Sequence, residues 1–251
     1  EAPRAILTLH DITDQRQLEQ LRIDFLTNAS HELKTPLASL LGFIETLQGP
    51  AKDDAEAHER FLAIMHDQAG RMARIVQDLL SLARIELDEH TPPTGMVDLA
   101  DEVRRACAQL EPRARSRNIT FALQLPEEPL LIPGDDDQLM QVLQNLIENA
   151  IKYADENTPI EIRLAVEADE DTVRLSVQDH GPGMAKHHLP RLTERFYRID
   201  TGRGRSRGGT GLGLSSVKHI LNRHRGQMEV ESEVGQGTCF HVILPLRKDK
   251  L

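Results

Sequence analysis

Between Thr13 and about Gln48, apolar residues return every three or four positions, Leu18, Leu21 and Phe25 among them. This spacing predicts one long helix. Gly49-Pro50-Ala51-Lys52-Asp53-Asp54 reads as a turn. A second long helix is expected from Ala55 to about Leu87, with Leu62, Met65, Ala69, Met72, Val76, Leu79 and Ala83 on one stripe. Two long helices joined by a short turn form an antiparallel hairpin. One hairpin is too thin to bury that stripe, so a four-helix bundle built by two chains is the natural cover. The period breaks from Asp88 to Gly95, where Pro92-Pro93 marks a linker. Beyond it, helix and strand patterns alternate in an α+β manner. Helices are predicted at 99–115, 136–153 and near 212–225. Strands are predicted near 119–125, 129–133, 160–167, 172–179, 227–232 and 237–245. Residues 4–12 read as a strand standing before the hairpin.

Composition narrows the classes. A chain of 251 residues has room for two domains, each with its own core. The formal net charge of −10 makes it a poor nucleic-acid binder, because phosphate contacts need clustered Lys and Arg. Cys107 and Cys239 are far apart and lack metal-ligand spacing, which fits a reducing compartment without a disulfide framework. No apolar run approaches the roughly 20 residues that span a bilayer. The chain begins at Glu1 rather than Met, so it is expected to be a piece of a longer protein. Thr201 to Gly211 holds five glycines and three arginines and is expected to be mobile.

Two constellations carry chemistry. The first is His31-Glu32-Leu33-Lys34-Thr35-Pro36-Leu37 on the first predicted helix. A neutral imidazole becomes a nucleophile when an acceptor holds its other nitrogen as N–H, and Glu32 is the adjacent carboxylate. Thr35, four residues on, shares the face of His31 and could position a water. Pro36 removes the amide that would bond the Glu32 carbonyl, so a bend is expected there. A lone histidine on a helix is usually a surface residue. His58, His66, His187, His188, His219, His224 and His241 take that reading, as surface or packing groups.

The second constellation lies over a hundred residues downstream. Asn145 and Asn149 stand at i and i+4 on one helix, followed by Lys152 and Tyr153. An Asn oxygen suits Mg²⁺, an ammonium suits phosphate, and an aromatic ring can pack on a base. Asp179, at a strand end, could accept an adenine amine, while Gly181 and Gly183 let backbone approach a nucleotide closely. Gly208, Gly209, Thr210, Gly211, Leu212 and Gly213 lead into a helix N-terminus, a natural phosphate site. No Gly-Lys-Ser/Thr follows, so this is not a Walker loop. Arg203, Arg205 and Arg207 read as solubilising residues of a flexible loop. Gly235-Gln236-Gly237-Thr238 reads as a hairpin turn.

Taken together, these motifs resemble the transmitter region of HisKA-type sensor histidine kinases over about residues 13 to 247. The run Gly42-Phe43-Ile44-Glu45-Thr46-Leu47 is similar to phosphate-regulon sensors. The resemblance implies a dimerisation and histidine-phosphotransfer hairpin at 13–88, a linker at 89–98 and a GHKL (Bergerat-type) ATP-binding sandwich at 99–247. It leaves 1–12 as the last strand of a PAS-like sensor domain and 248–251 as a tail. It implies that His31 is the phosphoacceptor, Glu32 the acidic residue of autokinase chemistry, and Thr35 the residue of regulator dephosphorylation. It places ATP and Mg²⁺ at the second constellation, with Asn149 as metal ligand and Arg198, in Phe196-Tyr197-Arg198, reaching the γ-phosphate. The implied partners are a second copy and the receiver domain of a response regulator, with the full-length protein anchored in an inner membrane and this region cytoplasmic. Two alternatives stand beside it. A GHKL ATPase without phosphotransfer is opposed by the His31 motif on a dimerising hairpin. An inactive dimeric scaffold is opposed by Asn149, Asp179 and the loop glycines.

Overall fold

Both long helices form, but the stripe expected on the second one is not its buried face: Leu62, Ala69, Val76 and Ala83 are exposed, and Ile75, Leu82 and Ile85 are buried instead. In the computed structural model, which describes residues 12–167, 171–199 and 209–246, helix α1 spans Thr13–Gln48 and α2 spans Ala55–Asp88. The expected strand at 4–12, the tail at 248–251 and the arginines at 203, 205 and 207 lie outside the described residues. α1 runs on through Pro36 without ending. Asp54 caps α2, its Oδ1 accepting the Ala57 amide at 2.9 Å. The chain divides into two compact units, Glu1–Ile75 and Val76–Leu251. In the first, Ala29, Ala57 and Ile75 are buried, and Phe43 packs on Phe61 with ring centroids 5.1 Å apart. Ile23, Leu26, Leu37, Leu41, Ile44 and Leu62 remain exposed on the single chain.

The division into compact units falls at Ile75, inside α2, whereas residue 88 is the end of that helix. Leu82 is fully buried, and Ile85 belongs to the same apolar core as the α+β domain, so the end of α2 packs as part of that domain. The expected linker at 89–98 also ends in structure. Strand β1, Met96–Asp98, precedes α3, Leu99–Arg115. Next come β2, Thr120–Gln124, β3, Leu131–Pro133, and α4, Asp136–Tyr153. β4, Pro159–Val166, and β5, Thr172–Asp179, are followed by a 3₁₀ turn at Lys186–Arg191. α5, Gly213–Arg223, β6, Gln227–Glu233, and β7, Gly237–Pro245, complete the chain.

The main sheet has the order β2-β4-β5-β7-β6, antiparallel except for the parallel β2–β4 pair. β1 and β3 form a separate antiparallel pair. Side chains alternate across a strand. On β5, Val173, Leu175 and Val177 therefore point into the core with α3, α4 and α5. Asp98 caps α3 through Oδ1, accepting from Ala100 and also from the Leu130 amide, which ties β1 to the next crossing. Asp135 caps α4 by accepting from the Gln138 amide at 3.2 Å. Leu139, Val142, Leu143, Leu146, Ile147, Ala150 and Ile151 give α4 a buried stripe at helical spacing. Among the described residues, no helix is long and apolar enough to cross a membrane.

Candidate active site

Asp179 sits at the end of β5 in the same alternation as Val173, Leu175 and Val177, so the strand that builds the core also buries its carboxylate. Only 4% of the residue is exposed. Oδ1 accepts the Gly181 amide at 2.9 Å. Burial pushes the carboxyl up to about 6, while the backbone amides of Gly181 and Thr238 pull the other way. Burial wins because two amides replace only part of the water a carboxylate would hold.

Close backbone approaches surround this carboxylate. A Cβ on Gly181 would strike the Tyr153 carbonyl oxygen, so the end of α4 lies directly against the turn after β5. Gly183 has φ +61, and a Cβ there would collide with the Glu233 carbonyl. Glycine is required on both counts. Across the site, Gly211 has φ +74, and an added Cβ would meet the Phe196 backbone at 2.8 Å. Phe196 itself holds φ +63 and donates its amide to the Gly211 carbonyl at 2.9 Å. A bulky residue in that conformation is strained, and the bond to Gly211 helps hold it.

α4 presents its polar edge between these loops. Asn145 and Asn149 flank the buried stripe and are each half-buried. Asn145 donates to the Gln141 carbonyl at 2.9 Å, and its oxygen lies where a Cβ on Gly213 would stand. Lys152 places Nζ 2.6 Å from the position a Cβ on Gly209 would occupy, and 4.7 Å from the Tyr153 ring centroid. Tyr153 is exposed, and Arg198 is half-buried. Asn145, Lys152, Gly209, Gly211 and Gly213 are thus brought to one edge. Leu212 is different: its side chain is fully buried, so it contributes packing and backbone rather than a side-chain contact to a ligand. Its amide donates to Thr210 Oγ1 at 3.3 Å, and Thr210 in turn donates to Asp78 of α2 at 2.6 Å.

That last contact belongs to a seam invisible to motif reading. His219 Nδ1 lies 2.7 Å from Glu89, Asn222 donates to the same carboxylate at 2.7 Å, and Arg195 pairs with Glu86. Glu89 is half the length of the chain away from these partners in sequence, so no local spacing signals them. Nor does any signal the place of His224, which is buried. It accepts the Asp135 amide on Nε2 at 3.0 Å and donates from Nδ1 to the Ile220 carbonyl at 2.7 Å. Burial holds its pKa below the ordinary histidine value.

The histidine constellation lies along α1. His31 is exposed on α1. Glu32, expected to hold the His31 ring, instead accepts from Arg71 of α2 at 2.7 Å. Successive helix residues diverge by about 100°, so Glu32 faces the second helix when His31 faces solvent. Thr35 shares the His31 face, but its hydroxyl donates to the His31 carbonyl at 3.3 Å. Arg71 is the residue the sequence reading missed.

Comparison with known proteins supports both halves. Residues 21–88 match the His Kinase A (phospho-acceptor) domain, and residues 134–248 match the histidine kinase-, DNA gyrase B- and HSP90-like ATPase family. The phosphate regulon sensor protein PhoR of Pseudomonas aeruginosa is 41% identical over 236 residues, covering 94% of this chain and 52% of that protein. The chain spans about half or less of the length of the curated relatives it matches. The crystal structure of full-length ShkA in complex with AMPPNP aligns at a TM-score of 0.63 and 28% identity, covering 92% of this chain and 46% of that one. The histidine kinase ThkA in complex with the response regulator protein TrrA aligns at 0.73 and 23% identity, over 96% of this chain and 66% of that one, a likeness of fold.

Proposed function

Since the chain belongs to the sensor histidine kinases, joining a phospho-acceptor hairpin to an HATPase_c domain, we propose that it phosphorylates its own His31 from ATP and passes the phosphoryl group to a response-regulator aspartate. The observation that carries this reading is Asp179: a nearly buried carboxylate at the end of β5, with the backbone of Gly181, Gly183 and Gly237 packed closely about it. An ionised carboxylate there accepts the exocyclic amine of adenine and disfavours the carbonyl of guanine. Lys152 and the backbone of Gly209, Thr210, Gly211 and Gly213 face the phosphates, and the start of α5 adds its amides. Arg198 stabilises charge on the transferred group.

Asn149 is the proposed Mg²⁺ ligand, with Asn145 beside it. Both are half-buried amides on one face of α4, and their neutral oxygens are hard donors of the kind a hydrated Mg²⁺ accepts, with Gly213 letting the Asn145 oxygen approach the start of α5. The ion would neutralise phosphate charge as transfer begins. At His31, one ring nitrogen of the exposed imidazole attacks the γ-phosphorus as the bond to the bridging oxygen breaks and ADP leaves, and the proton on the other ring nitrogen departs toward Glu32, which is suited to accept it. The exposed Ile23, Leu26, Leu37, Leu41, Ile44 and Leu62 support a homodimer through residues 13–88. A receiver domain as partner, Thr35-dependent dephosphorylation of it, and membrane anchoring of the longer protein complete the proposal.

The test is labelling with γ-labelled ATP and Mg²⁺. An acid-labile, alkali-stable label is expected on the wild type and none on His31→Gln, with nucleotide affinity nearly unchanged. Label retained in His31→Gln would refute the assignment, and phosphate release without any retained label would mark an ATPase instead.

A further inference from the structure

Glu32 is the carboxylate suited to orient His31, yet in this structure it is engaged elsewhere. Its Oε2 accepts from Arg71 at 2.7 Å, with about a third of each side chain exposed. Arg71 reaches it from α2 across the hairpin, and its Nε is buried without a hydrogen-bond partner among the described residues. With that Nε–H unsatisfied, the pair is held by the Oε2 contact alone, so it can part and let the carboxylate swing. The backbone there is suited to adjustment, because Pro36 supplies no N–H to the Glu32 carbonyl. His31 meanwhile stands exposed, one residue and about 100° of helix rotation away. One carboxylate cannot lie against α2 and along the imidazole together.

We propose that Arg71 is a positioning residue for the His31 chemistry: by holding Glu32 on α2 it withholds the acceptor from the imidazole, and breaking the pair frees it. This rests on the reading of His31 as phosphoacceptor. Arg71 touches neither nucleotide nor phosphoryl group in this role. It sets the fraction of molecules in which Glu32 is available. A partly exposed ion pair biases such an equilibrium by a factor of about 1.5 to 5, which sets the size of the effect.

The experiment measures autophosphorylation of the whole chain with Mg·ATP in wild type, Arg71→Gln, Arg71→Lys, Glu32→Gln and the Glu32→Gln/Arg71→Gln pair, each checked by thermal melting. Arg71→Gln should raise kcat about 1.5- to 5-fold with the KM for ATP unchanged. Arg71→Lys, which keeps a cation in reach of Glu32, should stay near wild type. In the Glu32→Gln background the gain should vanish, an epistasis that a merely structural role for Arg71 would not produce. A rate at or below wild type in a well-folded Arg71→Gln, or a gain that survives without Glu32, would overturn the proposal. Should Arg71→Gln fold poorly, Arg71→Met keeps an aliphatic side chain of similar length and is read by the same criteria. An unlabelled wild type would instead refute the phosphoacceptor reading itself, so the two failures are distinct.

Discussion

Replacing Asp179 by Asn tests the adenine contact through protons rather than through loss of binding alone. The carboxyl is raised from the ordinary 3.8 to about 6, with burial the largest cause. At pH 7 roughly nine-tenths of the nucleotide-free molecules carry the carboxylate, and at pH 5 roughly one-tenth. If the base amine bonds the ionised form, apparent affinity should fall about tenfold between those values, with close to one proton taken up per nucleotide released. The same shift bears on stability. A group whose folded pKa is raised contributes stability that is fully present below the unfolded value of 3.8 and is lost as pH rises through about 6. The difference is roughly 3 kcal/mol as an upper estimate. Calorimetric titration of ADP with Mg²⁺ from pH 5 to 8 measures the binding side. Comparison with Asp179→Asn cancels the titration of the phosphates themselves. Wild type and variant running parallel across the range would refute the reasoning, because the pH dependence would then arise elsewhere.

Other outcomes follow from single contacts. Gly183→Ala should lower stability by more than about 1 kcal/mol and weaken nucleotide binding, since the residue holds φ +61 and its Cβ would strike Glu233; melting and titration read both. Leu146→Ala, at a fully buried position on α4, should cost about 2–5 kcal/mol in chemical denaturation. His224, held neutral by burial, contributes stability present above its unfolded value near 6.5 and lost as pH falls through its lower folded value. His224→Gln should therefore remove a loss of denaturation midpoint between pH 7.5 and 5, opposite in sign to the Asp179 effect. Thr35→Ala should autophosphorylate nearly normally and fail to dephosphorylate the regulator, which phosphate release from a phosphorylated receiver domain would show.

Elements with a strong apolar period were readable to within a residue or so. α4 and β5 lie where the alternation and the helical stripe placed them, because each buries one continuous face. β1 and the turn at Lys186–Arg191 were not anticipated. A three-residue strand shows barely one full alternation, and a 3₁₀ turn carries no period of its own. The glycines and Asp179 announced themselves, since their residue types are tied to backbone approach and charge. Leu212 was read as part of the loop that would contact a ligand, yet it is core, a distinction that depends on which way one side chain turns. Arg71 and the carboxylates of Asp78, Glu86 and Glu89 were illegible because their partners stand 39 or more residues away.

The burial of Leu82 and Ile85 at the end of α2 bears on how such proteins can be cut and recombined. The proline pair at 92 and 93 looks like the seam at which to excise the ATP-binding half or graft it onto another sensor. A fragment starting there would leave behind both apolar side chains, along with the carboxylates that meet Thr210, Arg195 and His219. It would carry an uncovered apolar patch and a nucleotide loop stripped of one anchor. The compact unit begins in mid-helix, at Val76, where no break in the chain advertises it.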